Sequence, residues 1–331
     1  MLESNFNQII LMIEKRKNNA YKKVNEEMIL LYLEVGKFIY DMKKSSGYGD
    51  KITTKAAEFM KKNYPHIRGF TKRNIERMVQ FYSTYKDDEI ATPLVTQLSW
   101  TNNLLILSGS KTKEERQFYL QLSIKNNYSK RELDRQITSS YYERYMLSNG
   151  SQLPTLMKTI DEDDYPNTRI LDTYSLEFLD LPNEFSEKDL KTAIINNLKD
   201  FILEVGKDFT FIGDEYKVQV GNHDFFIDLL FYNRELSCLV AFELKLGEFK
   251  AEYLGKMNLY LEALDRDVKK NQENPSVGVI LCSSKDKSVV EYSLSKNLSQ
   301  TLISEYKLKL IDKKILEEKL KEMKLLINKD N

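Results

Sequence analysis

Three residues that could form a metal-dependent hydrolytic site lie close together in the sequence: Asp228, Glu243 and Lys245. The runs 225–232 and 237–246 around them are apolar and aromatic, and polar residues separate the two runs, a pattern that predicts a β-hairpin. Because side chains alternate along a strand, a turn of even length places all three on one face. Two carboxylates and an ammonium would then converge inside an apolar sheet, where charges are costly unless they are paired or bind a metal.

The register of this hairpin depends on the length of its turn. With Tyr232 opposite Ser237, Asp228 is predicted to lie opposite Ala241. Alternation from Ala241 then places Glu243 on the face that Asp228 occupies.

The chemistry that this arrangement favours is phosphodiester hydrolysis. The carboxylates of Asp228 and Glu243, with the carbonyl of Leu244, would form an all-oxygen site, which suits Mg²⁺ or Mn²⁺. Such an ion lowers the pKa of an attacking water, and Lys245 could orient that water or neutralise charge on the phosphate. No nucleophilic side chain is required.

The E-x-K spacing of Glu243 and Lys245 is a weak signal alone, because the chain is rich in both residue types. Further copies begin at Glu215, Glu248, Glu305, Glu317 and Glu322. Only at Glu243 does an apolar strand flank the motif, with an aspartate at hairpin distance before it. The alternative interpretation is a buried ion pair with no catalytic role.

Residues 216–265, which contain FFIDLLFYNRELSCLVAFELK, resemble the catalytic core of the PD-(D/E)xK nuclease superfamily, and specifically the YhcG-type nucleases. The resemblance continues through 274–294. Residues 47–82 and 95–107 resemble the helical N-terminal domain of the same family. The resemblance implies an α+β multidomain protein, with an all-helical domain followed by a restriction-endonuclease-like α/β sandwich, a mixed sheet flanked by helices.

The resemblance also implies roles for individual residues. Asp228 corresponds to the metal-binding aspartate of the second core strand, and Glu243 and Lys245 correspond to the E-x-K of the third. Ile227 stands where the strict superfamily pattern has proline. The implied activity is Mg²⁺- or Mn²⁺-dependent cleavage of DNA, with RNA as an alternative substrate. A protein of the same fold that binds nucleic acid or a partner without cleaving is the alternative function.

The resemblance also concerns two further residues. Glu204 matches an acidic residue that many superfamily members carry before the first core strand, although a solvated glutamate at a helix end is an equal alternative. Lys256, one helical turn before Tyr260, lies where members often place another polar active-site residue, frequently glutamine. Contact with a phosphate is one role that it could have.

Composition and charge predict the domain organisation. We expect a helical domain over 1–147, a linker rich in proline, glycine and acidic residues over 148–183, and the nuclease-like domain over 184–331. The chain has 50 basic and 50 acidic residues, but residues 1–150 contain 25 basic and 17 acidic ones, a net charge of +8, which leaves −8 for the remainder. The basic first half is therefore the candidate for holding DNA or a partner.

A basic helix in this first half is the candidate reader of nucleic acid. Thr71 is predicted to cap a helix whose first two turns carry Lys72, Arg73 and Arg77. A helix precedes it after a short turn, as in helix-turn-helix proteins. Basic residues at a helix N-terminus oppose the helix dipole, so phosphate contact would explain them, but an ordinary solvated face is the alternative.

Several classes of protein are disfavoured. Cys238 and Cys282 both lie in apolar strands, which predicts core thiols and a reducing compartment rather than a disulfide scaffold or zinc site. No apolar run is long enough to span a membrane, and the N-terminus lacks the order of a signal peptide. A soluble, cytoplasmic protein is expected. Dimers are frequent in the superfamily, which makes a homodimer one expectation.

The hydrophobic periodicity predicts the remaining elements. Helices are expected over 3–44, as one or two, and over 52–62, 186–205, 250–268 and 289–294, and strands over 209–212, 216–220, 277–282 and 302–306. The crossover from Leu244 to Val277 should connect parallel strands with a right-handed path.

Overall fold

The computed structural model describes residues 2–45, 51–148, 171–295, 297 and 299–327. The chain divides into two compact units, Met1–Thr138 and Ser139–Asn331. The first is helical, and the second contains a mixed sheet with flanking helices. The predicted fold class is confirmed.

The first unit is built from helices connected by short loops. In chain order they are α1 Leu2–Ser45, α2 Lys51–Asn63, α3 Lys72–Tyr85, α4 Ala91–Val95, α5 Trp100–Gly109, α6 Lys113–Asn126 and α7 Lys130–Thr138. The helices predicted over 3–44 and 52–62 are confirmed, the first of them as one continuous helix.

Helices α1 and α3 pack closely because of a glycine. A Cβ at Gly36 would lie 2.2 Å from the carbonyl oxygen of Met78, so a larger residue would force the helices apart. The predicted cap of α3 is confirmed, since Thr71 Oγ1 accepts a hydrogen bond of 3.3 Å from Asn74 N. This cap fixes where the basic first turns of α3 begin.

The second unit alternates helices and strands. Its elements are α8 Tyr141–Ser148, β1 Thr173–Ser175, α9 Glu187–Asn196, α10 Leu198–Val205, β2 Phe209–Val220, β3 His223–Asn233, β4 Cys238–Leu244, α11 Tyr253–Ala263, β5 Val277–Cys282, α12 Lys287–Leu294, β6 Thr301–Lys307 and α13 Lys313–Ile327. A π-helical turn, Leu264–Val268, continues α11.

The six strands form one sheet in the order β1-β6-β5-β4-β3-β2. Strands β2, β3 and β4 are antiparallel, whereas β4, β5, β6 and β1 are parallel neighbours. The parallel crossover predicted between β4 and β5 is confirmed. Both faces of the sheet are covered, because Phe201 of α10 packs on Phe231 and Phe242, while Met257 of α11 belongs to the apolar cluster on the other face.

Some predicted elements differ from the structure. The helix predicted over 186–205 is broken at Asn197, whose φ of −115° and ψ of 31° are not helical, and two helices result. The strands predicted over 209–212 and 216–220 are one strand with a bulge between Phe211 and Gly213. Both differences arise from backbone geometry at one position, which an apolar pattern does not report.

The interval predicted as a linker, 148–183, falls partly outside the described residues. Its described part, from residue 171, contains strand β1 and a short 3₁₀ turn, Glu177–Leu179. Helix α8, which the predicted boundary at residue 147 assigned to the first domain, groups with the second unit. The polar composition of this interval therefore indicates a region between domains, but it does not exclude a strand within that region.

Two other sequence expectations concern the whole described chain. No described helix is long and apolar enough to cross a membrane. Both thiols, Cys238 and Cys282, are free and buried, as predicted, and burial raises the pKa of each to about 11.

Candidate active site

The turn between β3 and β4 sets the position of the candidate site. Residues 234–237 form the turn, and Asn233 pairs with Cys238. The side chain of Asn233 holds this turn, because its Oδ1 accepts hydrogen bonds from the backbone N–H of Glu235 and Leu236 at 3.1 and 2.9 Å. The predicted register is therefore wrong by two residues: the partner of Ala241 is Leu230, and not Asp228.

The two-residue shift leaves the predicted face intact, because side-chain direction repeats every two residues. The strand pairing ends at Leu229 with Phe242, so that Asp228 and Glu243 are the next residues along the two strands. Beyond this point a side chain takes the place of the backbone hydrogen bonds between the two strands: Asp228 Oδ2 accepts a hydrogen bond of 2.9 Å from Leu244 N. The two acidic side chains thus come together where β3 and β4 cease to pair.

Glu243 is buried and lies between two ammonium groups. Its Oε1 is 3.1 Å from Lys245 Nζ and 2.6 Å from Lys256 Nζ, and its side chain is only 1% exposed. Its Oε2 is also buried, and no hydrogen-bond partner for it is found among the described residues. A buried carboxylate oxygen without a partner is costly, and such an atom is a natural ligand for a cation.

Helix α9 supplies two side chains to the same site. Glu187 Oε2 accepts a hydrogen bond of 3.1 Å from Lys245 Nζ, and Glu187 Oε1 accepts one of 3.3 Å from Leu246 N. Lys191 Nζ lies 4.0 Å from Asp228 Oδ1 and bonds Glu215 Oε1 at 2.6 Å. A reciprocal capping box between Ser186 and Asp189 begins this helix and so fixes Glu187 in its first turn.

The sequence predicted a helix that begins at residue 186, but it did not predict the role of this helix in the site. Glu187 and Lys191 are far from Asp228 along the chain, and only the tertiary fold brings them close. The one available signal was the position of Glu187 as an acidic residue at a capped helix start, a common feature that does not by itself indicate a site.

Helix α11 also contributes side chains to the site. The predicted pair Lys256 and Tyr260 is brought to the site: the Lys256 ammonium bonds Glu243 and lies 5.3 Å from the centre of the Tyr260 ring. Tyr260 Oη donates a hydrogen bond of 2.5 Å to the carbonyl of Phe226, on strand β3. This bond ties α11 to the strand that carries Asp228.

The charges perturb each other's protonation. Burial, together with the negative charge of Glu243, raises the pKa of Asp228 above its ordinary value, against the opposing effects of the Leu244 N–H and the nearby lysines. Burial acts to lower the pKa of Lys256, but its interactions with Glu243 and Tyr260 outweigh burial and raise it. The pKa of Lys245 is raised for a similar reason, by Glu243 and Glu187. Both lysines therefore stay charged, while Asp228 is held in an unfavourable environment.

Comparison with known proteins places this chain in a family. Residues 167–322 match the model of the YhcG PDDEXK nuclease domain, and residues 8–144 match that of the DUF1016 N-terminal domain. The chain is 30% identical over 345 residues to "Putative nuclease YhcG" of Escherichia coli (strain K12), with 94% of this chain and 92% of that protein covered. The chain belongs to the YhcG family of PDDEXK nucleases.

Two solved structures are similar to part of this YhcG-family chain. A repair endonuclease from Pyrococcus abyssi is 17% identical with a TM-score of 0.27, over 40% of this chain and 50% of that one. A complex titled EndoMS-dsDNA2 is 15% identical with a TM-score of 0.27, over 38% of this chain and 47% of that one. The alignment spans about half the length of each.

Glu204, predicted as a further acidic residue of the site, lies elsewhere. It is fully buried and forms an ion pair with Arg144 of α8, and its Oε1 also accepts a hydrogen bond of 2.7 Å from Ser175 N of β1. Its helix, α10, packs on the face of the sheet that carries Phe242, whereas the neighbouring residue Glu243 points to the opposite face. The structure therefore does not bring Glu204 together with Asp228 and Glu243.

The predicted nucleic-acid-binding residues of α3 belong to the first unit. Lys72 and Arg73 are exposed, Arg77 is half-buried, and Lys72 Nζ is 3.9 Å from Glu76 Oε1. The inward-facing side of the helix is built by Ile75 and other apolar residues, as its periodicity indicates. The basic side chains thus lie on the side of α3 that does not face the core.

The donor set at the sheet site is small. No cluster of three or more His, Cys, Asp or Glu side chains suited to hold a metal occurs in the part of the chain that the structure describes. A metal site here would use two carboxylates, from Asp228 and Glu243, and backbone oxygen. That set still fits Mg²⁺, which keeps several water ligands and is commonly held by one or two carboxylates.

Proposed function

We propose that this YhcG-family protein hydrolyses phosphodiester bonds of DNA with Mg²⁺ or Mn²⁺ held by Asp228 and Glu243. The observation that carries the proposal is the meeting of these two carboxylates where β3 and β4 stop pairing, with one buried oxygen, Glu243 Oε2, left without a hydrogen-bond partner among the described residues. A buried carboxylate oxygen without a partner costs free energy, which a bound cation would offset.

The residues present fit the proposed cation. Asp228, Glu243 Oε2 and the carbonyl of Leu244 would hold it, all through oxygen atoms. When bound, the cation supplies a Lewis acid that lowers the pKa of an attacking water and offsets charge on the phosphate. The Leu244 N–H that bonds Asp228 Oδ2 orients this carboxylate in advance.

Lys245 is proposed to orient the attacking water or to neutralise the negative charge that develops on the phosphate. Its ammonium is held by Glu243 on one side and Glu187 on the other, and its side chain is 14% exposed, so one direction remains open to a substrate. Because its pKa is raised, it donates hydrogen bonds as a cation throughout the neutral range.

Lys256 is proposed to contact a phosphate of the substrate. Its side chain is 46% exposed although its ammonium bonds Glu243, so it connects the buried carboxylate with solvent. A lysine in this position gives a point charge to a phosphate oxygen and needs no particular orientation of the phosphate.

DNA is proposed as the substrate. The first unit is proposed to bind this DNA in addition to the site on the sheet. The support is the nuclease family together with the basic face of α3, formed by Lys72, Arg73 and Arg77. Such residues would position the phosphate backbone without reading sequence. RNA is the competing substrate.

The test is cleavage of linear, supercoiled, single-stranded and branched DNA, and of matching RNA, in Mg²⁺, in Mn²⁺ and with a chelator. We expect cleavage of at least one DNA form with either metal and none with the chelator, because the attacking water needs the cation. Cleavage that is unchanged by the chelator would refute the metal-dependent mechanism.

One observation favours the second candidate, a protein that binds nucleic acid without cleaving it. Lys245 and Lys256 both contact Glu243 Oε1, so the two lysines already neutralise this carboxylate in the absence of a metal. DNA binding that persists in Asp228→Ala and in chelator, with no cleavage of any substrate by the wild type, would support this candidate over the first.

A further inference from the structure

Helix α1 carries an apolar stripe that its own unit leaves uncovered. The positions are separated alternately by three and four residues, and they are Tyr21, Val24, Met28, Leu31, Val35, Phe38 and Met42. This is the a and d spacing of a coiled coil, kept over three heptads. Apart from the partly buried Val35, these side chains are between 38% and 71% exposed.

The stripe differs from the face that α1 uses within its own unit. Ile29, Gly36 and Ile39 are buried, and Gly36 and Ile39 face α3. They lie at the b and e positions of the same heptads, on a side of the helix that is centred about 100° from the a and d seam. The helix therefore has two apolar faces, of which its own unit covers one.

Residues 8–24 of α1 have little packing support in their own unit. Every residue from 8 to 24 is exposed, and this stretch includes five consecutive apolar residues, Ile9 to Ile13. A single helix in water is only marginally stable, and contiguous exposed apolar residues generally mark an interaction surface.

We propose that this face of α1 binds α1 of a second copy of this chain and makes the protein a homodimer. The seam is suited to an identical partner because each a or d side chain fits between four residues of a helix with the same repeat. Its six exposed side chains present roughly 100 Å² each, on the order of 600 Å² per copy, since large side chains have about 150–250 Å² in total. Two copies would bury on the order of 1,200 Å² in total, which is the lower end of the range for specific interfaces.

The charges beside the seam favour a parallel pair. The g positions are all acidic and exposed, and they are Glu27, Glu34 and Asp41. In an antiparallel pair the g positions of the two helices face each other, so the acids would repel. In a parallel pair each g position faces the e side of the partner, so that no acid meets another acid. The e residues Asn25, Tyr32 and Ile39 are uncharged, and they are half-buried or buried in their own unit.

Sedimentation equilibrium of the full chain tests the proposal with two neighbouring leucines. Leu30 and Leu31 are 37% and 38% exposed, but only Leu31 lies in the seam. We expect twice the chain mass of 38.9 kDa for the wild type and for the control Leu30→Glu, and the single mass for Leu31→Glu combined with Phe38→Glu. Both changed side chains are exposed, so far-UV circular dichroism of the free chain should keep its helical signal.

A monomeric wild type at 100 μM, or a double variant that dimerises as the wild type does, would overturn the proposal. Orientation has its own test, because a cysteine at a d position meets its counterpart only in a parallel dimer. Oxidised Val24→Cys should form a covalent dimer, since the native Cys238 and Cys282 are buried. A non-covalent dimer of this variant that yields no crosslink would contradict the parallel arrangement.

Discussion

At the scale of single residues, the surroundings of two buried glutamates differ, and they separate a candidate cation site from a structural ion pair. Glu204 has Arg144 and a backbone N–H as partners for its carboxylate, whereas Glu243 keeps one buried oxygen without a partner among the described residues. Sequence could not separate them, because each is a glutamate in an apolar context. The difference lies in what the fold brings to each carboxylate.

Glu204→Ala should therefore destabilise the second unit, because it leaves the buried guanidinium of Arg144 without its main counter-charge. We expect a loss of about 3–5 kcal/mol in the free energy of unfolding, measured by urea titration with far-UV circular dichroism. The double variant Arg144→Met with Glu204→Leu should recover most of this loss. An unchanged stability of Glu204→Ala would show that the ion pair contributes nothing.

Asp228→Asn should have the opposite effect on the metal-free protein. Burial and the neighbouring Glu243 disfavour the charge of Asp228, and asparagine removes that charge while its amide oxygen can still accept the Leu244 N–H. We expect a gain of roughly 0.5–2 kcal/mol at pH 7, the range of single stabilising substitutions. A lower melting temperature in chelator would mean that the carboxylate stabilises the fold, contrary to our account.

The alternation of side chains along a strand explains why the common face of the three central residues was predictable. Whether Asp228, Glu243 and Lys245 share a face depends only on the strands and on an even offset between them, so the prediction survived an error of two residues in register. Glu187 and Lys191 come from a helix before the first of these strands, and no local pattern places them.

At the scale of elements, the contact of α1 with α3 at Gly36 allows two effects on stability to be distinguished. One is the helix propensity of the residue at this position, and the other is its packing against α3. Alanine normally stabilises a helix relative to glycine by about 1 kcal/mol. At Gly36 the added methyl would meet a backbone carbonyl, which cannot move aside as a flexible side chain can.

We expect Gly36→Ala to lower the stability of the first unit by about 1–3 kcal/mol, the usual cost of overpacking. Trp100, the one tryptophan of the chain, packs on Tyr32 and Phe81 in this unit, so its fluorescence reports the transition. The control is Gly255→Ala in α11, where an added Cβ meets nothing within 4 Å. If Gly36→Ala raised the urea midpoint of Trp100 fluorescence, the close contact would be disproved.

Element boundaries were predictable where caps and apolar runs mark them. Thr71 caps its helix as predicted, the helix predicted to begin at residue 186 has Ser186 as its cap, and strand β5 occupies 277–282 as its apolar run indicates. The break at Asn197 and the turn that sets the hairpin register were not predicted. Both depend on specific backbone conformations and hydrogen bonds, which the hydrophobic pattern does not encode.

At the scale of the whole molecule, the uneven charge of the two halves predicts how DNA binding depends on salt. The net charge of +8 over residues 1–150 resides in a chain whose total charge is zero. Composition alone therefore concealed the basic half, and only the distribution along the sequence revealed it.

Lys72→Ala with Arg73→Ala should weaken DNA binding uniformly across sequences. The slope of log affinity against log salt should fall by about 1 for each lost phosphate contact, measured by fluorescence anisotropy. The control is Lys319→Ala with Lys321→Ala, which removes the same charge from exposed positions of α13 in the second unit. Equal effects of the two pairs would mean that α3 has no special contact with DNA.

The most direct test of the central claim compares two aspartates of strand β3. Asp228→Asn changes the proposed cation ligand, whereas Asp224→Asn changes an exposed residue of the same strand that pairs with Lys217 at 2.7 Å. Purified in parallel and assayed for DNA cleavage in Mn²⁺, Asp224→Asn should cleave as the wild type does, and Asp228→Asn should lose at least about 100-fold in rate, because a ligand to the cation is removed. Cleavage by Asp228→Asn at the wild-type rate would contradict the assignment of this site.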